Sequence, residues 1–279
     1  MTAGVSAGAE RLAQFLRNAE NAVVLTGAGI SVPSGIPDFR SPGTGMWANV
    51  DPMELAHIDA FRRDPNRFWG FYGDRFVSLV ERRPNAAHLA VAELERRGLV
   101  RAVITQNVDR LHRKAGSERL IEVHGSIEWS VCLECGGRQQ IERVIEMLKA
   151  APGLAPECPA CVAPLKPDVV LFGELLPERA MLEAQRLALD ADLMICVGSS
   201  LEVHPVAGLP ALARGGGARL ALVTQGPTPY DGDADVKLGG DVVQELRAVL
   251  TALSGAGGNG AAAPREPAPP APAPPPAPA

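Results

Sequence analysis

Six short runs of Val, Ile, Leu and Ala recur along this 279-residue chain, and each ends in glycine or a polar turn: "NAVVLTGAG", "LVRAVITQN", "RLIEVHG", "PDVVLFGE", "DLMICVGSS" and "ARLALVTQG". A run of this length with almost no polar interruption is what a strand needs when both its faces are covered. Amphipathic stretches separate the runs, and the alternation predicts an α/β fold around a parallel sheet. One connection is legible in detail. In "PNAAHLAVAELERRG" the side chain of Asn85 is placed to cap a helix and Gly98 to stop it, delivering the chain to the next strand.

Two regions break this rhythm. Residues 41–83 hold aromatic-rich helical sequence with no strand, and residues 127–167 hold two pairs of cysteines. Each is expected to be an insertion at the carboxyl ends of strands, where open α/β sheets bind their ligands. From Ser254 onward the chain is Gly, Ala and Pro with almost no bulky apolar residue, which cannot bury enough surface to order itself. The expected division is a Rossmann-like sheet domain built from residues 1–40, 84–126 and 168–253, a helical insert over 41–83, a zinc-ribbon module over 127–167 and a disordered tail over 254–279. A net charge of -5 with no long basic run argues against bulk nucleic-acid binding. No apolar stretch reaches bilayer-spanning length and the first residues lack a secretory pattern, so a cytoplasmic location is expected.

The first run leads into "GAGISVPSGIPDFRSPG", Gly27 to Gly43. A glycine turn directly after a strand lets a nucleotide pyrophosphate approach the backbone. Here Val32 stands where the dinucleotide fingerprint has its third glycine, and the segment continues through Pro33, Pro37, Asp38, Phe39 and Arg40 instead of opening a helix. That pattern describes a nucleotide loop extended into a flap.

Cys132 and Cys135, with Cys158 and Cys161, form two Cys-x-x-Cys pairs, a spacing that closes a tetrahedral zinc site and leaves no open coordination position. The metal is therefore read as structural. Cys196, inside "DLMICVG", reads as a small buried hydrophobe. "TQNVDRLH", Thr105 to His112, follows a strand with amide, carboxylate and imidazole groups. Helix capping by Asn107 or Asp109 accounts for either residue alone, though not for the whole polar run. His124 closes "LIEVHG" at the binding face of the inferred sheet and titrates near neutrality. His57, His88, His112 and His204 have weaker claims.

These motifs, with "KPDVVLFGE" and "GSSLEVHP", occur in the order found in the sirtuins, the NAD-dependent protein-lysine deacylases, and the chain resembles that family from Ala22 to Val249. The resemblance implies that Gly27, Ala28, Gly29 and Ser31 cradle NAD, with Asp38, Phe39 and Arg40 closing over the nicotinamide ribose. It places Gln106, Asn107 and Asp109 around nicotinamide and ribose, Gly198, Ser199 and Ser200 at the phosphates, and Thr224, Gln225 and Val242 toward the adenosine end. Thr224 stands where many sirtuins carry Asn, and its hydroxyl is shorter and lacks the amide. His124 is implied as general base.

The implied reaction joins the acyl-lysine amide oxygen to the NAD ribose as nicotinamide leaves; a ribose hydroxyl then attacks the amidate carbon, and water completes transfer of the acyl group to ADP-ribose and frees the lysine. Acylated-lysine peptides are the implied partners, lying extended between Phe172, Gly173 and Glu174 on one side and Leu201, Glu202 and Val203 on the other, with Val169 and Phe172 helping to wall the lysine tunnel. Tyr72 and Arg75 in "FYGDR" resemble the pair by which some sirtuins accept succinyl or malonyl groups. Deacetylation is expected first, with desuccinylation second. Protein mono-ADP-ribosylation and a non-enzymatic NAD-sensing module are the rival readings.

Overall fold

The computed structural model describes residues 5–38 and 52–255. Phe39, Arg40, the start of the helical insert and nearly all of the Ala/Pro tail lie outside these residues. The chain enters through α1 (Ala7–Asn18), where the Ser6 side chain accepts the Ala9 N–H as a cap, and passes into β1 (Ala22–Thr26). Two 3-10 turns, Ala28–Ile30 and Val32–Ser34, follow in place of an α-helix. Next come α2 (Pro52–Leu55), α3 (Ile58–Arg63), α4 (Pro65–Glu81), α5 (Ala86–Arg96), β2 (Ala102–Thr105), α6 (Leu111–Ala115) and β3 (Leu120–Glu122). A smaller lobe holds β4 (Gly125–Cys132), β5 (Arg138–Gln140), α7 (Ile141–Ala150) and β6 (Leu165–Val169). The chain returns through α8 (Glu178–Leu189), β7 (Leu193–Val197), α9 (Leu209–Gly215), β8 (Arg219–Val223), β9 (Val236–Leu238) and α10 (Val242–Gly255).

The main sheet has the order β3-β2-β1-β7-β8-β9, and its neighbouring strands pair in parallel. Counted along the chain, that is the doubly wound arrangement, whose order reverses between β1 and β7 and opens a crevice at the strands' carboxyl ends. Successive strand residues point to opposite faces, and here each face has its own core. Val24, Ile195 and Val223 enter the core built with α1, α5 and α10, while Val23, Leu25, Met194 and Leu222 enter the one built with α8 and α9. Because both faces are buried, the strands read as unbroken apolar runs. Asn85 caps α5 as expected, with its side chain accepting from Ala87 N, and Gly98 follows the helix at φ 69.

One expected strand belongs elsewhere. "PDVVLFGE" does not join the parallel sheet; its first residues lie in β6, which pairs antiparallel with β4 at the edge of a second sheet ordered β5-β4-β6. Pro167 sits inside β6, a residue that an edge strand tolerates and a central strand does not. The sixth parallel strand is instead the short β9. The second sheet shares a core with the helices before it: Phe61, Phe68, Trp69 and Phe76 pack with Ile127, Val144, Leu165 and Val169. Trp69 donates its indole N–H to Leu165 O at 2.8 Å. The helical insert and the cysteine module therefore form one lobe, and β6 runs across the boundary expected at residue 167. Among the described residues, no helix is long and apolar enough to cross a membrane.

Candidate functional site

The site begins where the loops after β1 and β7 touch. Gly29 N–H donates to Gly198 O at 2.7 Å, and a Cβ on Gly29 would lie 2.8 Å from Gly198 Cα. Gly198 has φ 61, and a Cβ there would strike the Ile30 amide. Two glycines are thus required for backbone-to-backbone contact at the switch point, before any ligand is considered. The exposed Ser200 and buried Thr224 continue the rim along the ends of β7 and β8, with the exposed Gln225 beyond. Val242 is buried at the start of α10. Thr224 N–H pairs with Leu238 O, and its hydroxyl reaches Gln225 O at 3.4 Å.

Gln106 joins three elements. Its N–H donates to Thr26 O at 3.0 Å, its side-chain amide donates to Ser199 Oγ at 3.1 Å, and its carbonyl lies 3.0 Å from His124 Nδ1. A carbonyl only accepts, so His124 carries its proton on Nδ1 and the lone pair on Nε2. Burial holds the His124 pKa below its ordinary 6.5, and the Gln106 carbonyl works weakly against that shift. The imidazole is therefore neutral near pH 7, with Nε2 as the basic atom. The next residue, Gly125, has φ 75 and lies tight against the Asp168 carbonyl, so a side chain there would push the β6 strand away.

A second network lies beneath. The Ser31 hydroxyl donates to Asp109 Oδ2 at 2.6 Å and accepts from Asn107 Nδ2 at 3.1 Å. Asn107 Nδ2 also donates to Gly27 O at 3.0 Å, and Asp109 Oδ1 accepts the Leu111 N–H at 2.8 Å. All three side chains are buried. Asp109 is not the cap residue of the short α6, which is Arg110; one of its oxygens accepts the first N–H of that helix and the other holds Ser31. Burial raises the Asp109 pKa and its hydrogen bonds oppose the rise.

His88 and His112, given weaker claims from sequence, belong to this network. Asn85 N–H donates to His88 Nδ1 at 3.4 Å, so the ring's proton is on Nε2, which meets Ser31 Oγ at 3.3 Å. His112 Nε2 lies 2.9 Å from Thr26 Oγ1, whose hydroxyl donates to Thr105 Oγ1 at 2.8 Å. The two rings stand edge to face with centroids 5.0 Å apart. The local signal for His88 was its position three residues after the Asn85 cap, and for His112 its place at the end of "TQNVDRLH".

Asp38 is half-buried at the end of the described flap. Phe172 bridges to His57: Phe172 N–H donates to Ala56 O and Ile58 N–H donates to Phe172 O, each at 2.9 Å. Gly173 has φ 84, and Val169 is buried in the small-lobe core. Leu201 adopts φ 56 and is buried, Glu202 is exposed and Val203 half-buried. Tyr72 and Arg75 are both on α4. Tyr72 stacks against Phe68 at 4.7 Å, and Arg75 lies over the Phe71 ring at 3.8 Å while donating to Phe71 O.

The four cysteines come together. Sγ separations are 3.4 Å for Cys132 and Cys161, 3.6 Å for Cys135 and Cys158, and 3.5 Å for Cys135 and Cys161. Four thiolates at about 2.3 Å from one zinc stand about 3.8 Å apart, so the cluster fits a closed tetrahedral site. Cys196 is wholly buried in a sheet core, and burial pushes its thiol pKa up. At the switch point, hydroxyls and amides surround a carboxylate beside a glycine turn, a donor set suited to a ribose, a carboxamide and phosphates.

A family model described as the Sir2 family matches residues 27–205. The NAD-dependent protein deacetylase 1 of Pyrobaculum aerophilum is 42% identical over 246 residues, 88% of this chain and 95% of that protein. The NAD-dependent protein deacylase 2 of Archaeoglobus fulgidus is 44% identical over 241 residues, 86% of this chain and 94% of its own. Among solved structures, a complex of Sir2 with a peptide and NAD+ aligns with TM-score 0.80 and 41% identity, covering 86% of this chain and 96% of that one. Sir2 bound to an acetylated peptide aligns with TM-score 0.79 and 39% identity, covering 87% and 97%.

Proposed function

The chain belongs to the Sir2 family, and from that premise we propose that His124 is the general base of a lysine-deacylation site at the β1/β7 switch point. The protein is an NAD-dependent protein deacetylase acting on acylated lysines, with the acyl group passing to ADP-ribose. NAD, when bound, supplies a ribose carbon that becomes electrophilic as nicotinamide departs. Cys132, Cys135, Cys158 and Cys161 are placed to hold one structural zinc ion.

The observation that carries the base assignment is the hydrogen bond from His124 Nδ1 to Gln106 O, because it leaves Nε2 as the proton acceptor. Gln106 spans from that base to Ser199, and so ties the position of the imidazole to the loop that faces the phosphates. Ser31 and Asn107 hold one another and fix Asp109, so the groups assigned to nicotinamide and its ribose are oriented before a ligand enters. Asp38, Phe39 and Arg40 are assigned to the closing flap, and Gly198, Ser199, Ser200, Thr224, Gln225 and Val242 to the rest of the dinucleotide.

Acetyl-lysine is the preferred substrate in this reading. The Arg75 guanidinium stacks on Phe71 of its own helix, which favours a packing role over recognition of an acyl carboxylate. The test is nicotinamide release from NAD with and without an acetyl-lysine peptide. Release that needs the peptide and yields free lysine is expected. Peptide-independent release, or transfer of labelled ADP-ribose to protein, would overturn deacylation as the activity.

A further inference from the structure

The Lys166 ammonium is nearly buried, and each of its protons has an acceptor. It donates to Val169 O at 2.7 Å and to Pro167 O at 3.1 Å, and it lies 2.9 Å from Glu174 Oε2. The same Glu174 oxygen accepts the Leu171 N–H at 2.9 Å. The side chains of Lys166 and Glu174 are 5% and 23% exposed, so the pair is shielded from solvent. A charge in that position persists only when its partners are complete, and here they are. We propose that Lys166 is a positioning residue for peptide binding, which folds residues 169–174 into the edge that receives the acylated peptide.

The loop is stitched to three neighbours. Lys166 holds its start through Val169 O and its end through Glu174. Phe172 pairs with the main chain of Ala56 and Ile58, and Val170 N–H donates to His124 O at 2.9 Å. Gly173 passes the His57 ring so closely that a Cβ would lie 2.5 Å from Nε2. The Glu174 carboxylate is turned inward, toward Lys166 and Leu171, and its contribution is to shape the edge. Lys166 itself belongs to β6 of the small lobe, so one buried ion pair joins the cysteine-bearing sheet to the peptide edge. The main chain of the base meets this loop through Val170 N–H on His124 O, but its ring is oriented from the other side, by Gln106 just after β2 of the main sheet. Loss of the ion pair therefore disorders the peptide edge while leaving Nε2 of His124 oriented.

The inference rests on the peptide edge proposed above, and steady-state kinetics of the zinc-loaded full chain separates the two. Acetyl-lysine peptide is varied at saturating NAD, then NAD at saturating peptide, for wild type, Lys166→Met, Glu174→Gln and Lys166→Met/Glu174→Leu. The double variant replaces a buried ion pair by apolar volume, an exchange that is often neutral for stability. Glu174→Gln keeps the size of the side chain and an oxygen for the Leu171 N–H.

The expected result is a rise in peptide KM of about tenfold for Lys166→Met and for the double variant, and about fivefold for Glu174→Gln, with kcat and the NAD KM within about twofold of wild type. The double variant is expected to be no worse than the poorer single, because both changes break one interaction. A wild-type peptide KM in Glu174→Gln and the double variant, or a proportional rise in both substrates' KM values, overturns the positioning role. If wild type itself fails to release nicotinamide with peptide, it is the proposed activity that falls.

Discussion

Acidification below pH 7 should weaken the fold through His88 and His112, by an amount that follows from their burial. Burial lowers the His88 pKa from 6.5 to about 4. His112 falls to about 3, first through burial and second through repulsion from His88. In the unfolded chain both rings bind a proton below pH 6.5, whereas in the folded chain they stay neutral. The unfolded state then holds more protons, so stability present above pH 6.5 is lost as pH falls toward the folded values. Between pH 7 and pH 5 each ring costs about 2 kcal/mol, about 4 kcal/mol together, against a typical total of about 5–15 kcal/mol.

The assay is urea unfolding of zinc-loaded wild type and His88→Gln at pH 7, 6 and 5 and constant ionic strength. Gln keeps a donor for Ser31 but does not titrate. Replacing the ring also breaks its hydrogen bond with Asn85 N–H, so the variant starts about 1 kcal/mol less stable at pH 7. The gap should then reverse on acidification, the variant losing about 2 kcal/mol less than wild type by pH 5 and ending about 1 kcal/mol the more stable. Glu95 and Glu122, whose pKa values burial raises, act in the opposite sense but are common to both chains and cancel in the difference. The same holds for zinc release. Parallel stability curves for the two proteins from pH 7 to pH 5 would refute the claim that His88 stays neutral in the fold.

Three further outcomes follow from the site. His124→Ala should lose deacylation by about 10²–10⁴-fold while keeping its thermal midpoint and zinc content; because burial lowers the wild-type pKa, the acidic limb of kcat/KM should fall below pH 6.5, and a limb above that value contradicts the assigned base. Cys135→Ser should lower bound zinc, by atomic absorption, well under one ion per chain and loosen the packing around Trp69, read from tryptophan fluorescence; full zinc retention would remove the four-thiolate site. Arg75→Met should change turnover of acetyl and succinyl peptides in equal proportion, and a selective loss with succinyl peptide would instead make Arg75 a carboxylate receptor.

Sequence sufficed where a local pattern had a single physical cause. The strands β1, β7 and β8 are buried along nearly their whole length, so each appeared as an unbroken apolar run. The cysteine pairs were legible because thiolate spacing and zinc geometry constrain one another. The chain misled where two environments favour the same residues. "DVVLF" looks like a central parallel strand, yet Val169 packs in the small-lobe core and β6 is an edge; the clue was Pro167, which removes a ladder donor. β9 was missed for the opposite reason, since Lys237 sits exposed between buried Val236 and Leu238 and three residues carry no periodicity.

The chemistry divides the same way. Asn107, Asp109 and His124 stood out because each follows a strand end at the sheet's ligand-binding edge. The functions of His88, Lys166 and Glu174 depend on partners distant in sequence or on the path of a loop; Lys166 and Glu174 open and close "KPDVVLFGE", but nothing in that motif shows that they pair. His88 reaches Ser31 across 57 positions, and it does so only because α5 packs against the turns after β1. Lys166 and Glu174 are eight residues apart, a separation that brings two side chains together only when the backbone between them turns back. That turn exists because the ion pair, Phe172 and Val170 each fasten it to a different element. Residue types thus announced the reacting groups, while the groups that hold them in place became visible only through the fold.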